Sequence, residues 1–271
     1  MSLIVGKQVN RLSISPDKRL LAAAIYTKVH IYDIAGNSST PVGFSLLCPS
    51  KTHRKSLQRA VFEGHKGNVT SVSFHSEGKW VVTGSEDGTI RIWDLRTSNL
   101  HRVYENEVPI NDVCIHPNQG ELISCDQAGR IRQWDLTLQE EACTVELAPA
   151  GDIPIRSISI ASDGSCLVAG NNKHTRRPPL PSYNEVPSTQ QILDTVSFKS
   201  RCKVGLRFIH KYELTPVARY LATCSADTTV KIWLVGSNYE FKLDKTLHGH
   251  QRWVWDAAFS ADSAYLVTGK Q

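Results

Sequence analysis

The chain is predicted to be all-β, a β-propeller assembled from repeated blades of four antiparallel strands. Three observations predict it. Residues 64–94, GHKGNVTSVSFHSEGKWVVTGSEDGTIRIWD, hold three alternating apolar and polar segments separated by turn residues and closing on Trp93-Asp94. A second such pair, Trp134-Asp135, follows 41 residues later, one blade length. The same strand, turn and strand return in RYLATCSADTTVKIW, residues 219–233, closing on Trp233.

These units are WD repeats, and the elements follow in chain order. Residues 8–34 read as three strands, broken by a Ser15-Pro16-Asp17-Lys18 turn and a turn at Tyr26-Thr27, with Tyr32-Asp33 in the Trp-Asp place. The next Trp-Asp comes 61 residues after Tyr32, so residues 42–59, polar and basic, read as an irregular insertion. HRVYENE after the 64–94 unit is an outer strand. Residues 108–136 make a further unit, with residues 143–147 as its outer strand. Residues 151–173 supply two strands of another. Its third strand is expected to be missing, because residues 174–213 are rich in Pro, Ser and Thr and read as a second insertion without blade strands. After residues 219–233 comes the outer strand in FKLDKTLHGH, then a last unit from Gly249-His250. The expectation is one WD-repeat propeller domain over residues 1–271, with about five to six blades partly present.

Composition narrows the function classes. The net charge is +5, but Lys51, Arg54, Lys55, Arg59, Arg176 and Arg177 lie in the irregular stretches without interleaved aromatics, which argues against nucleic acid as partner. Seven cysteines stand singly with no C-x-x-C spacing, so neither metal nor cofactor is expected, and the thiols read as buried and free in a reducing compartment. No stretch is apolar enough for a signal peptide or a membrane span, and a cytoplasmic location is expected.

The chemistry inside the best unit is structural. Asp87 can accept from one ring nitrogen of His65, the other ring nitrogen can accept from Ser85, and Ser85 can receive the Trp93 indole N–H. The residue types match a Ser-His-Asp triad, but a buried serine occupied by an indole is no nucleophile, and no catalytic residue is assigned. Asp126 with Trp134, and Asp227 with Ser225 and Trp233, keep part of this relay.

Function is therefore sought on exposed faces. Aligned first strands give the triplets Gln8-Val9-Asn10, Asn68-Val69-Thr70, Pro109-Ile110-Asn111, Pro154-Ile155-Arg156 and Trp253-Val254-Trp255. The central residue is always apolar and β-branched, so its flankers point away from the core at the rim of the central channel. Gln8, Asn10, Asn68, Thr70, Asn111, Arg156, Trp253 and Trp255 are the partner-binding candidates, and the two indoles read as a hot spot.

The segments QVNRLSISPDKRLLAAA, KWVVTGSEDGTIRIWDLR, HPNQGELISCDQAGRIRQWDL, RYLATCSADTTVKIW and LHGHQRWVWDAAFSADSAYLVT resemble one WD-repeat family, the G-protein-beta-subunit-like subunit of target-of-rapamycin kinase complexes. The resemblance is to the plant-like version and covers residues 8–41, 60–173 and 214–268. It implies a seven-bladed, non-catalytic propeller that packs one rim against the kinase domain and supports complex assembly in growth and nutrient signalling. It implies no obligate homo-oligomer, and a cytoplasmic subunit peripheral on endomembranes through the complex. Gln8 and Trp253 carry over as kinase-facing positions. Against the family pattern the chain lacks a unit before Gln8, a third strand after Asn172 and strands after Gly269; its two insertions read as retained introns in an incomplete or mis-spliced gene model. The alternative is a generic WD-repeat adaptor or ubiquitin-ligase substrate receptor.

Overall fold

Burial on both faces shapes the strands more than simple alternation does. A computed structural model describes residues 8–34, 58–138, 142–148, 153–161, 164, 166–171, 188–194, 200–206, 209–214, 219–225, 227–236, 241–259 and 264–270. The described strands form two compact units, residues 1–115 and 116–271.

In the first unit, β1 (Arg11–Ile14), β2 (Leu20–Ile25), β3 (Lys28–Asp33) and β4 (Gln58–Phe62) form one antiparallel sheet in sequence order. A second sheet repeats that order with β5 (Val69–Phe74), β6 (Trp80–Ser85), β7 (Thr89–Asp94) and β8 (Leu100–Glu105), and β9 (Ile110–Ile115) follows. Between the two sheets lies a core of Ala22, Ala24, Val29, Ile31, Phe62, Val69, Val81 and Trp93 among others. Phe62 stacks on Trp93 with ring centroids 5.2 Å apart. Middle strands such as β2 and β6 are buried almost throughout, so they lack the apolar and polar alternation of a half-exposed strand.

The second unit holds β10 (Glu121–Asp126), β11 (Ile131–Asp135) and β12 (Cys143–Leu147). After them come the sheet β13 (Ile155–Ile160), β14 (Cys166–Asn171), β15 (Ser188–Asp194), β16 (Ser200–Leu206) and the sheet β17 (Ile209–Leu214), β18 (Tyr220–Ser225), β19 (Val230–Val235), β20 (Phe241–Leu247). The hairpin β21 (Val254–Phe259) and β22 (Leu266–Lys270) ends the described chain.

The reading of residues 174–213 as strandless is corrected. β15, β16 and most of β17 lie there, and β15 supplies the third strand expected to be missing, pairing with β14 from Cys166↔Asp194 to Gly170↔Gln190. A backbone ladder needs no alternating side chains, and STQQILD has only two apolar residues, so the strand is silent in the hydrophobic pattern. At the other insertion, β4 begins at Gln58, two residues inside the 42–59 boundary; residues 42–57 lie outside the described residues.

Two bulges recur and position the rest. One precedes the third-strand aromatic, at Ile31/Tyr32, Ile92/Trp93, Gln133/Trp134 and Ile232/Trp233. The other opens the first strand, at Val69/Ser71, Ile155/Ser157, Ile209/Lys211 and Val254/Asp256. A bulge leaves one residue out of the ladder and re-aims its side chain. The turn before β7 depends on Gly88, at φ 77°, where an added Cβ would collide with the Asn106 carbonyl oxygen.

Candidate functional site: the first-strand rim and the buried relay

In three of the predicted triplets the bulge that opens the first strand falls on the third residue. Thr70, Arg156 and Trp255 are the residues left out of the ladder. The central residues are buried as expected: Val69, Ile110 and Val254 are fully buried and Ile155 nearly so, while Val9 is half-buried against Ala23, Ile25 and Tyr32. Gln8, Asn10, Asn68 and Arg156 are exposed, and Thr70 and Asn111 half-buried. Trp253 is 52 % exposed. The side chain of Trp255 lies outside the described residues.

Two of these candidates have a different job. Asn10 Nδ2 donates to the Val69 carbonyl at 3.1 Å, and Thr70 Oγ1 donates to the Ile110 carbonyl at 2.8 Å, with the Gly84 carbonyl at 3.1 Å. The third residue of one triplet thus ties to the central residue of the next. For Thr70 the expectation of a partner-facing hydroxyl is corrected, since its single proton is committed to backbone within the unit. Asn68 keeps an outward position, with Nδ2 2.9 Å from Glu86 Oε2 on the surface.

The position after each triplet adds a contact that sequence reasoning missed. Arg11 Nη2 lies 2.9 Å from both Asp112 carboxylate oxygens, and Ser71 Oγ donates to Asp112 Oδ1 at 2.6 Å. The Val113 N–H donates to Ser71 Oγ and to Asp112 Oδ1. Arg11, Ser71 and Asp112 follow the first, second and third triplets, so their equivalence was legible. Their pairing was not, because Arg11 and Asp112 are 101 residues apart.

The relay forms, with one member changed. His65 Nδ1 lies 3.0 Å from Asp87 Oδ2, His65 Nε2 lies 2.7 Å from Thr83 Oγ1, and Trp93 Nε1 donates to Thr83 Oγ1 at 2.9 Å. Ser85 is therefore not the linking hydroxyl. It donates to the Gly67 carbonyl at 3.1 Å and accepts the Asp87 N–H at 3.2 Å. The reason is register: Trp93 pairs with Val81, and its indole reaches two residues along β6, to Thr83. Period-two alternation puts Thr83 and Ser85 on the same face and cannot separate them.

An acceptor-only carboxylate fixes the tautomer, so Nδ1–H donates to Asp87 and Nε2 accepts the Thr83 hydroxyl proton. Burial holds the imidazole below its ordinary pKa, against the pull of Asp87. For Asp87 burial pushes the pKa upward. Hydrogen bonds from the Thr89 hydroxyl and the Lys66 and Thr89 backbone N–H groups, with His65, outweigh it and hold the carboxyl far below the usual range. The same indole contact recurs ten residues back from each Trp, at Trp134 Nε1 to Ser124 Oγ (2.8 Å) and Trp233 Nε1 to Thr223 Oγ1 (3.1 Å). Ser225 is again displaced from the role expected of it and instead accepts the Asp227 N–H. Asp126 caps its turn by accepting from the Ala128 and Arg130 N–H groups, while Arg132 joins it to Glu146.

Of the cysteines, Cys125 and Cys224 are buried as expected, Cys114 is half-buried and Cys143 exposed, which corrects the expectation for Cys143. Among the described residues no cluster of three or more His, Cys, Asp or Glu could hold a metal ion. No described helix is long and apolar enough to cross a membrane.

A fold of repeated four-stranded sheets, three of them with a third-strand Trp bonded to a second-strand hydroxyl, defines a WD-repeat β-propeller. The family model "WD domain, G-beta repeat" matches residues 56–94, 98–135, 211–233 and 241–270. It passes over β1 to β3, where Tyr32 replaces the Trp, and β12 to β16. The Cps50 (Swd1) β-propeller domain of Myceliophteria thermophila is similar in fold, with a TM-score of 0.77 at 16% identity over 99% of this chain and 81% of that one. Curated relatives narrow the class. The chain is 48% identical over 240 residues to the target of rapamycin complex subunit wat1 of Schizosaccharomyces pombe, covering 89% of this chain and 68% of the relative. It is 45% identical to the target of rapamycin complex subunit LST8 of Saccharomyces cerevisiae, covering 90% and 72%, and 41% identical to LST8-1 of Arabidopsis thaliana, covering 90% and 72%. The chain belongs to this LST8 family of WD-repeat proteins.

Proposed function

We propose that this chain is a non-catalytic scaffold subunit of a target-of-rapamycin complex, binding the kinase domain through its first-strand rim and supporting complex assembly in growth and nutrient signalling. Family membership supports the complex. The observation that carries the rim is Trp253, half of whose surface faces solvent at a position where the other triplets place Gln8, Asn68, Pro109 and Pro154. A large indole exposed on a propeller face costs solubility unless a partner covers it, and buried Trp residues dominate interface energetics. Gln8 is exposed at its corresponding position and is assigned the same role.

A binding role also accounts for the one constellation that resembles catalytic machinery. Ser85 is fully buried and hydrogen-bonded to Gly67, and His65 is bound to Thr83 and Asp87, so neither can reach a substrate. We place the protein in the cytoplasm, on endomembranes only through its complex, without obligate self-association. Affinity purification of the tagged chain from cells, with quantitative mass spectrometry, tests this. Recovery of target-of-rapamycin kinase as the dominant partner is expected. Recovery of ubiquitin-ligase components in its place would favour a substrate receptor and overturn the reading.

A further inference from the structure

One peptide group in the first unit holds two turns. The N–H of the Asn68–Val69 peptide donates to the Tyr26 carbonyl at 2.7 Å, and the C=O of the same peptide accepts the Glu86 N–H at 2.9 Å. The N–H and C=O of a trans peptide point in opposite directions, so the β2–β3 and β6–β7 turns flank that group, with those two backbone atoms at most about 8 Å apart. Tyr26, Asn68 and Glu86 are all exposed there.

The Tyr26 ring is held at a conformational cost. Its φ of 52° lies in the left-handed region that Gly or Asn enters easily and an aromatic residue does not. The other described non-glycine residues with positive φ are Lys18, Ser98, Gln119 and Thr228, none of them aromatic. Packing does not explain the choice, because Tyr26 is 50 % exposed. A lone aromatic on a surface is ordinary, but one kept in a strained turn asks for a use. Glu86 is fixed beside it. Asn68 Nδ2 donates to Glu86 Oε2 at 2.9 Å, whereas among the described residues Oε1 accepts nothing and the carboxylate has no cationic partner.

We propose that Tyr26, Asn68 and Glu86 form a seat for an arginine side chain of the protein that covers the rim. The guanidinium pairs with the Glu86 carboxylate, a second N–H reaches Asn68 Oδ1, and its flat face lies on the phenol ring. A lysine ammonium can make the ion pair but has no flat face to stack. The seat rests on the reading of the first-strand rim as the binding surface, and it names the chemistry of the partner at that surface.

The probes are arginine and lysine, each blocked as the N-acetyl methylamide, titrated into the full chain and followed by the Asn68 side-chain amide and Val69 N–H resonances. Arginine is expected to shift both and to bind about fivefold more tightly than lysine. Glu86→Gln, which keeps the acceptor for Asn68, should remove most of the binding. Tyr26→Asn should bring arginine down to the level of lysine while the melting temperature holds or rises, since Asn relieves the turn. A melting temperature that falls would make the ring structural and overturn the proposal. Equal binding of the two probes, or no shift at Asn68, does the same. In the complex, Glu86→Gln should weaken kinase-domain binding about tenfold. Unchanged affinity in that variant also overturns the proposal, because the seat would then lie outside the interface. Each of these failures leaves the Trp253 reading standing, which loses its support only if the unaltered chain binds no kinase domain.

Discussion

Arg11 on β1 and Asp112 on β9 meet with one guanidinium nitrogen 2.9 Å from each carboxylate oxygen, and the Asp112 side chain is only 3% exposed. With Ser71 donating to the same carboxylate, one charged contact ties three consecutive first strands. It sits one residue beyond the rim triplets, so it fixes the frame from which the rim side chains project.

Removing one partner leaves the other charge with little water. Arg11→Met is expected to destabilise the protein by about 3 kcal/mol or more, and Arg11→Met with Asp112→Asn to recover part of that loss. Urea unfolding of the two single variants and the double variant checks it. Additive losses would show that the pair is not coupled.

The relay predicts an order among two neighbouring hydroxyls. Thr83→Val strands the Trp93 N–H and removes a partner of His65 Nε2, both buried, and should cost about 2 to 3 kcal/mol. Ser85→Ala removes contacts to two turn backbone groups and should cost about 1 kcal/mol. Trp93→Ala, which also opens a cavity beside Phe62, should cost about 3 to 5 kcal/mol. A larger loss at Ser85 than at Thr83 in thermal denaturation would reverse the assignment.

How much of this was legible follows from what each feature depends on. The blades were legible wherever a Trp closed an alternating strand, as at Trp93, Trp134 and Trp233, because packing of that indole imposes the pattern. β15 was not, because its pairing to β14 is a backbone ladder that STQQILD does not advertise. The same omission hid the triplet position of Ile209 and His210 on β17, which carries the same opening bulge. Thr83 was mistaken for Ser85 because a period of two cannot choose between residues two apart. The buried central residues of the triplets were read correctly, whereas the ties from Asn10 and Thr70 depend on the neighbouring first strand and leave no mark in local sequence.

Acidification should weaken the protein through His65. Its folded pKa lies below the ordinary 6.5, so as pH falls through that value the unfolded chain takes up a proton that the folded chain does not, and stability falls. Asp87, also depressed, acts in the same direction only below its ordinary 3.8. Melting temperatures at pH 7.5 and 5.5 should therefore drop less in His65→Gln than in the unaltered chain. His75, whose pKa burial also lowers, contributes a background common to both. An identical drop would remove His65 as a source.

Substitutions at Thr70 and Trp253 test whether framework and proposed binding surface are separate. Thr70→Val should lower stability by about 1 kcal/mol by removing the tie to the Ile110 carbonyl, with no direct effect on a partner. Loss of kinase binding at unchanged melting temperature in this variant would return Thr70 to the partner-facing set.

The most direct test of the scaffold reading is Trp253→Ala, with affinity for the target-of-rapamycin kinase domain and melting temperature measured on the same preparation. An anchor indole at an interface centre typically contributes at least about 2 kcal/mol, so affinity should fall by roughly thirtyfold or more. The melting temperature should hold, because half of the Trp253 surface is already in water. Undiminished kinase binding, or a melting temperature that falls together with affinity, would contradict the kinase-facing rim.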